Sequence, residues 1–383
     1  MKRITTFFVL LALLFSLFSC NENTENGEHS VDAISGEHSV DAVSGEYNGS
    51  SEDSKSVFFG DIEVPVDAEY QILVSDTFNV GGDYVSISSQ VPQVTDDETE
   101  AINNRRIAKY MDEHPPQNEM RFELNDISET VSFSKVLLLD NIPIYFYKNE
   151  DVSTSCFAKS SSLRSFHIPN VWNPDAERVI NSIEDAVEYA LKFMRERMDV
   201  YKLDEYKPFV VSRGTYTSTN SYGYTLQFLR LYKGIFTSSI MVSINEQGYV
   251  SFWLLSADKD GLDFFDSCID YATEVMSEDK ALTALQNAAN SKTEIASIRN
   301  VSLCSDSTND TTGDDFQCFP LEKYGNIEHN YAVDKTAVSF YYSYAAVMKD
   351  GSEKQGCNVV SVFLPIDWAE VYGEKDTISH TNE

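Results

Sequence analysis

Between residues 222 and 254 apolar and polar positions alternate with a period of two, and this constrains the fold more than any other feature. Tyr222, Tyr224, Leu226, Phe228 and Tyr232 fall on one side, Thr225 and Gln227 on the other, and Lys233-Gly234 interrupts the run. Ile240, Val242 and Ile244 follow, then the turn Asn245-Glu246-Gln247-Gly248, then Val250, Phe252 and Leu254. Successive side chains of a strand point to opposite faces, so alternation broken by glycine-bearing turns predicts an antiparallel meander with one buried face.

A helix is predicted just upstream. Asn181-Ser182-Ile183-Glu184-Asp185 opens it and it runs to about Met198, with Ile183, Val187, Ala190, Leu191 and Met194 on one stripe and Glu184, Glu188, Lys192 and Arg195 outside. A single apolar stripe suits a helix lying on a sheet. The same order recurs further on. Ser277-Glu278-Asp279-Lys280-Ala281 opens a helix with Ala281, Leu282, Leu285 and Ala288 along a stripe, and an extended stretch at 294–304 follows. Val338, Phe340, Tyr342 and Tyr344 then share a strand face, and Lys349-Asp350-Gly351-Ser352 turns the chain into a strand at 358–364.

SIEDAVEYALKF (182–193) and MSEDKALTALQNA (276–288), each followed by strands, resemble PepSY-type domains, the small module also found in propeptides of thermolysin-like peptidases. In the first unit the matching positions are Tyr224, Leu226, Phe228, Arg230, Tyr232, Gly234, Ile235, Val242, Ile244, Asn245, Gly248 and Val250. The second unit lacks the Gly-Ile pair and carries a long polar insertion near 305–317. The resemblance implies an α+β fold, helices packed on antiparallel meander sheets, with two PepSY-like units behind an N-terminal α/β region. It also implies binding, inhibition or assisted folding of a partner outside the cytoplasm, with no catalytic residues of its own.

In that N-terminal region, strands are predicted at 70–74, 83–91, 131–139 and 143–148, and a helix at 97–113. Thr95 and Glu98 have capping-box spacing, and Pro115-Pro116 ends the helix. The stretch YVSISSQVPQVTDDETEAIN (84–103) resembles the strand-then-helix opening of a domain found in some extracytoplasmic peptidoglycan deacetylases and anti-sigma factors, and it carries no activity over. The expected divisions are a signal peptide at 1–19, a tether at 20–56, an N-terminal domain at 57–174, the two units at 175–270 and 271–371, and a polar tail at 372–383.

The chain's start explains the first two. Lys2 and Arg3 precede an apolar run from Ile4 to Phe18, too short to span a bilayer comfortably and flanked like an export signal. It closes in Leu17-Phe18-Ser19-Cys20, which resembles the lipobox of bacterial lipoproteins and implies lipidation of Cys20. Residues 21–56 then carry acids, Ser, Asn and Gly with almost no large apolar side chains, so they cannot offset chain entropy by burial and are expected to act as a disordered spacer. Within them GEHSVDAIS (27–35) recurs as GEHSVDAVS (36–44), a duplication too short for a solenoid. The implied location is the cell membrane or the outer membrane, lipid-anchored and facing outside the cytoplasm.

Charge narrows the partners. The formal net charge is −32, which repels phosphate backbones and argues against nucleic acid. No H-E-x-x-H, G-x-S-x-G, phosphate-binding glycine loop or C-x-x-C occurs, so neither a metal, a cofactor nor a catalytic set is indicated. His29 and His38 are nine residues apart in the tether, and Asp310, Asp314 and Asp315 sit in a polar stretch; neither group is read as a metal site. Cys304 and Cys318 bracket that stretch and are the candidate disulfide, the alternative being that all the cysteines beyond Cys20 stay unpaired. Together these features predict a lipid-anchored binding or inhibitory module whose partner is an extracytoplasmic protein such as a peptidase, or cell-wall material. The alternative is a cell-envelope hydrolase or glycan-binding lipoprotein, using paired carboxylates or a sugar platform built from Trp172, Trp253, Trp368 and tyrosines.

Overall fold

The computed structural model describes residues 55–86, 95–124, 127–139, 142–168, 175–216, 221–292, 294–308, 310–313, 315–330, 335–366 and 371. The expected signal peptide, Cys20, the nonapeptide repeat and the tail at 372–383 lie outside the described residues. Residues 52–383 form one compact unit, and the boundaries expected at 174/175 and 270/271 fall inside it.

The α+β expectation, helices packed on meander sheets in two units behind an α/β region, is overturned. Among the described residues 51% are strand and 23% helix, with four α-helices and a large mixed sheet. One antiparallel run begins at Glu119–Leu124 and passes through Ile127–Leu139, Ile142–Lys148, Ser153–Phe157 and Leu163–His167. It continues through Val250–Leu255, Ile235–Asn245, Ser221–Tyr232 and Tyr206–Tyr216 to Phe316–Cys318 and Thr311–Gly313. A short parallel contact, Ile235 and Phe236 beside Gly325 and Asn326, joins a second run. That run is built from Gly325–Asn330, Lys335–Met348 and Glu353–Phe363, with Gln71–Val74 and Thr77–Val80 beyond, and Ile295–Leu303 on the far half of Lys335–Met348. Among the described pairings no ring of strands closes.

The physical reason for the correction is that alternation identifies a strand but not its neighbours. Leu163–His167, expected in the N-terminal domain, pairs with Val250–Leu255 of the first unit, so one sheet runs through both. The order helix, strand, long hairpin does occur twice along the chain, yet both copies are stretches of this shared sheet.

The helices follow local rules. Helix α1 (Asp96–Glu113) starts at the expected capping box: the Glu98 N–H donates to Thr95 Oγ1 at 3.2 Å and the Thr95 N–H to Glu98 Oε2 at 3.0 Å. Helix α2 (Ile183–Arg197) is capped the same way by Ser182 and Asp185, with acids in its first turn and Arg195 and Arg197 in its last, matching the helix dipole. Its Ala186, Ala190, Phe193 and Met194 cover Leu226, Phe228, Ile240, Val242 and Trp253 of the sheet. Each fully buried Leu, Ile or Phe side chain in that layer contributes about 1.5–3 kcal/mol.

Helices α3 (Lys259–Val275) and α4 (Glu278–Lys292) form the second core with Val338, Phe340, Tyr344, Val360 and Val362. No element was expected between 256 and 276, so α3 is new. It is the helix that links the cores, because Phe265 packs against both. Gly325 marks how closely the runs are fused: a Cβ there would lie 2.9 Å from Ile235 Cδ1 of the first run and 1.9 Å from the Ser339 carbonyl oxygen of its own run.

The polar insertion is also ordered. Asp306 pairs with Lys323, Ser307 with Glu322, Thr311 with Cys318 and Thr312 with Gln317, so the stretch is a hairpin. Its returning strand adds to Tyr206–Tyr216, with Cys318 opposite Val210. Thr308 Oγ1 donates to the Phe319 carbonyl at 2.9 Å and accepts the Leu321 N–H at 3.1 Å. β-Branched threonines and the free edge of a neighbouring strand thus organise residues whose composition reads as loop.

Candidate functional site

A cluster of interlocking charges lies where α3 crosses the hairpin of Ser221–Tyr232 and Ile235–Asn245. Helical spacing places Asp263, Asp266 and Asp270 on one face of α3. Opposite them stand Lys202, Arg230 and Lys233. Arg230 is fully buried. Its Nη1 and Nη2 donate to the two carboxylate oxygens of Asp266, each at 2.7 Å, Nε donates to Glu205 Oε2 at 2.7 Å, and Nη1 also reaches Thr237 Oγ1 at 3.1 Å. Lys202 Nζ donates to Asp266 Oδ2 at 2.9 Å and to Asp263 Oδ1 at 3.3 Å, and the Tyr201 hydroxyl donates to the same Asp263 oxygen at 3.1 Å. At the far end Lys233 Nζ lies 2.8 Å from Asp270.

Burial works against the positive charge on Arg230, but hydrogen bonds and attraction from Asp266 and Glu205 outweigh it and hold its pKa above the ordinary arginine value. Lys202 behaves alike: desolvation lowers its pKa, and Asp266 and Asp263 raise it further than burial takes away. A bidentate guanidinium–carboxylate pair fixes orientation as well as distance. The cluster is therefore a latch that sets α3 on the sheet, and Asp266 has both oxygens engaged by cations.

Beside the latch, the Tyr206 hydroxyl donates to Ser238 Oγ at 2.9 Å, and burial pushes its pKa up to about 12. Burial also takes Tyr145, Tyr341 and Tyr342 to about 12, against an ordinary value of 10.0. These folded-state values are raised, so the stability they contribute is intact below pH 10 and is lost as pH climbs from there through 12. Tyr206 alone accounts for on the order of 2–3 kcal/mol of this loss. The protein is expected to unfold cooperatively in that window, with tyrosinate ultraviolet absorbance and loss of circular dichroism rising together. Ionisation of Tyr145, Tyr206, Tyr341 and Tyr342 near pH 10 while the fold persists would contradict their placement.

The residues singled out in the sequence are scattered. Cys20, His29, His38, Trp172, Trp368 and Asp314 lie outside the described residues. Both thiols of the candidate Cys304–Cys318 pair are free. Thr311 lies directly opposite Cys318, whereas Cys304 lies beside Tyr341, its N–H donating to that carbonyl at 2.9 Å. Trp253 is 1% exposed and stacks on Phe166 at 6.3 Å between ring centroids, so it faces the core and offers no platform. His114, His167 and His329 belong to separate elements, and among the described residues no three His, Cys, Asp or Glu side chains are grouped to hold a metal ion.

Arg230 was legible only as a matching position, although it shares parity with Tyr224, Leu226, Phe228 and Tyr232. A charge on the apolar face of a strand signals a buried partner, and the Asp263, Asp266 and Asp270 stripe is that partner. No family model matches this chain, and neither a curated protein nor a solved structure matches it. Fold and cluster together define a mostly β protein built on one mixed sheet and fastened by a buried ion-pair latch.

Proposed function

We propose that this chain is a lipid-anchored binding protein of the cell envelope. Acyl chains on Cys20 hold it at the membrane outside the cytoplasm, and its folded unit engages an extracytoplasmic protein such as a peptidase, or wall material, without catalysis of its own. The observation that carries this reading is the apolar run closing in Leu17-Phe18-Ser19-Cys20 directly before an acidic, repeat-bearing spacer. Spacers of this length reach about 30–36 Å as random coils, enough to stand a folded unit clear of the bilayer. The net charge of −32 favours a cationic or neutral partner surface over a polyanion.

The test has two arms. The wild-type chain is expected to incorporate labelled palmitate and to sediment with membranes, and Cys20→Ala to lose the label and appear in the soluble fraction. The mature protein is expected to retain extracellular peptidases or purified peptidoglycan on a column. An unlabelled wild-type chain, or Cys20→Ala remaining on membranes, sinks the anchor; no retention in either case sinks the binding role.

A further inference from the structure

The strand Glu119–Leu124 ends the long antiparallel run. It pairs with Ile127–Leu139 in an unbroken register from Glu119 opposite Ser132 to Leu124 opposite Ile127. Among the described residues no strand pairs with its other edge. The Phe133 N–H donates to the Asn118 carbonyl at 2.8 Å, which fixes the alternation of the ladder. Residues 118, 120, 122 and 124 therefore direct their backbone groups to the neighbouring strand, and Glu119, Arg121 and Glu123 direct theirs outward. Side chains alternate in the other sense: Phe122 and Leu124 are buried, while Arg121 and Glu123 are 71% and 63% exposed.

The other outer strands are unlike it. Gln71–Val74, Asp83–Ser86 and Thr311–Gly313 have four, four and three residues against six here. Ile295–Leu303 is shifted in register twice, holds Asn300 in the left-handed region at φ 54, and has the Ile298 N–H covered by Gln286 Oε1 at 2.7 Å. Bulges and covered donors protect an edge from pairing, and Glu119–Leu124 has neither.

We infer that this edge pairs with the same edge of a second copy, antiparallel across a two-fold axis, so that one sheet continues through a homodimer. The sequence EMRFEL is self-complementary in one register. With Phe122 on the axis, Arg121 faces Glu123 of the second copy, Glu123 faces its Arg121, and Met120 faces Leu124. The outward backbone groups of Arg121 and Glu123 then bond in the narrow pairs that antiparallel strands require, and apolar side chains meet on one face while opposite charges meet on the other. Placing Arg121 on the axis would set Arg against Arg and Glu119 against Glu123. Placing Met120 there would set Phe122 against Asn118. A symmetric contact of this kind closes on itself and does not propagate into a filament.

The experiment uses the mature chain with Cys20→Ser to keep it free of lipid, examined by sedimentation velocity over a concentration series. A dimer is expected for this chain. Arg121→Glu, which sets Glu against Glu123, is expected to weaken the dimer at least tenfold, and Arg121→Glu with Glu123→Arg to restore it because the pair is merely exchanged. Circular dichroism verifies that each variant is folded, as expected for side chains this exposed. A monomer at every concentration overturns the inference, and so does a dimer insensitive to Arg121→Glu or one that the double exchange fails to recover.

Discussion

Asp266→Ala is expected to lower the unfolding free energy by about 3–5 kcal/mol in urea titrations, because it leaves a fully buried guanidinium without its bidentate partner. Glu205 remains on Nε, but its side chain is 46% exposed and shares its attraction with water. Lys202 also loses its shorter contact, so α3 loosens at two points. Arg230→Met combined with Asp266→Leu should regain most of the loss, since a packed apolar pair avoids the desolvation cost of two charges. A loss below about 1 kcal/mol for Asp266→Ala would mean that the latch does not hold α3.

Trp253→Ala is expected to cost about 3–5 kcal/mol, the range for deleting a large buried aromatic side chain. Its ring is enclosed between α2 and the sheet and stacks on Phe166, so truncation opens a cavity in the first core. Trp253→Phe should cost much less. It keeps the ring contact and removes an indole N–H that has no hydrogen-bond partner among the described residues. Thermal or urea unfolding reads both variants. An unchanged stability for Trp253→Ala, with weakened retention on a glycan column, would return this residue to the surface role that the sequence left open.

Much of the local structure was legible. Thr95 with Glu98 and Ser182 with Asp185 start helices where capping chemistry places them, and the alternation of Leu226, Phe228, Ile240 and Val242 marks the buried face of the strands. Helix α3 was not legible. Its Gly261, Asp263, Asp266 and Asp270 dilute the apolar stripe, and their role appears only once Arg230 and Lys202 stand opposite. The polar insertion near 305–317 was misread for a similar reason, since its threonines and aspartates gain order from the edge of Tyr206–Tyr216.

What the sequence by itself determined is therefore the part that depends on near neighbours: the caps, the turns and the face each strand buries. Only the tertiary structure decided which strands pair, that one sheet runs through all the expected units, and that Arg230 is a buried anchor. Strand pairing and charge burial join residues tens to hundreds of positions apart, and a period of two is the same whichever neighbour the strand finally takes.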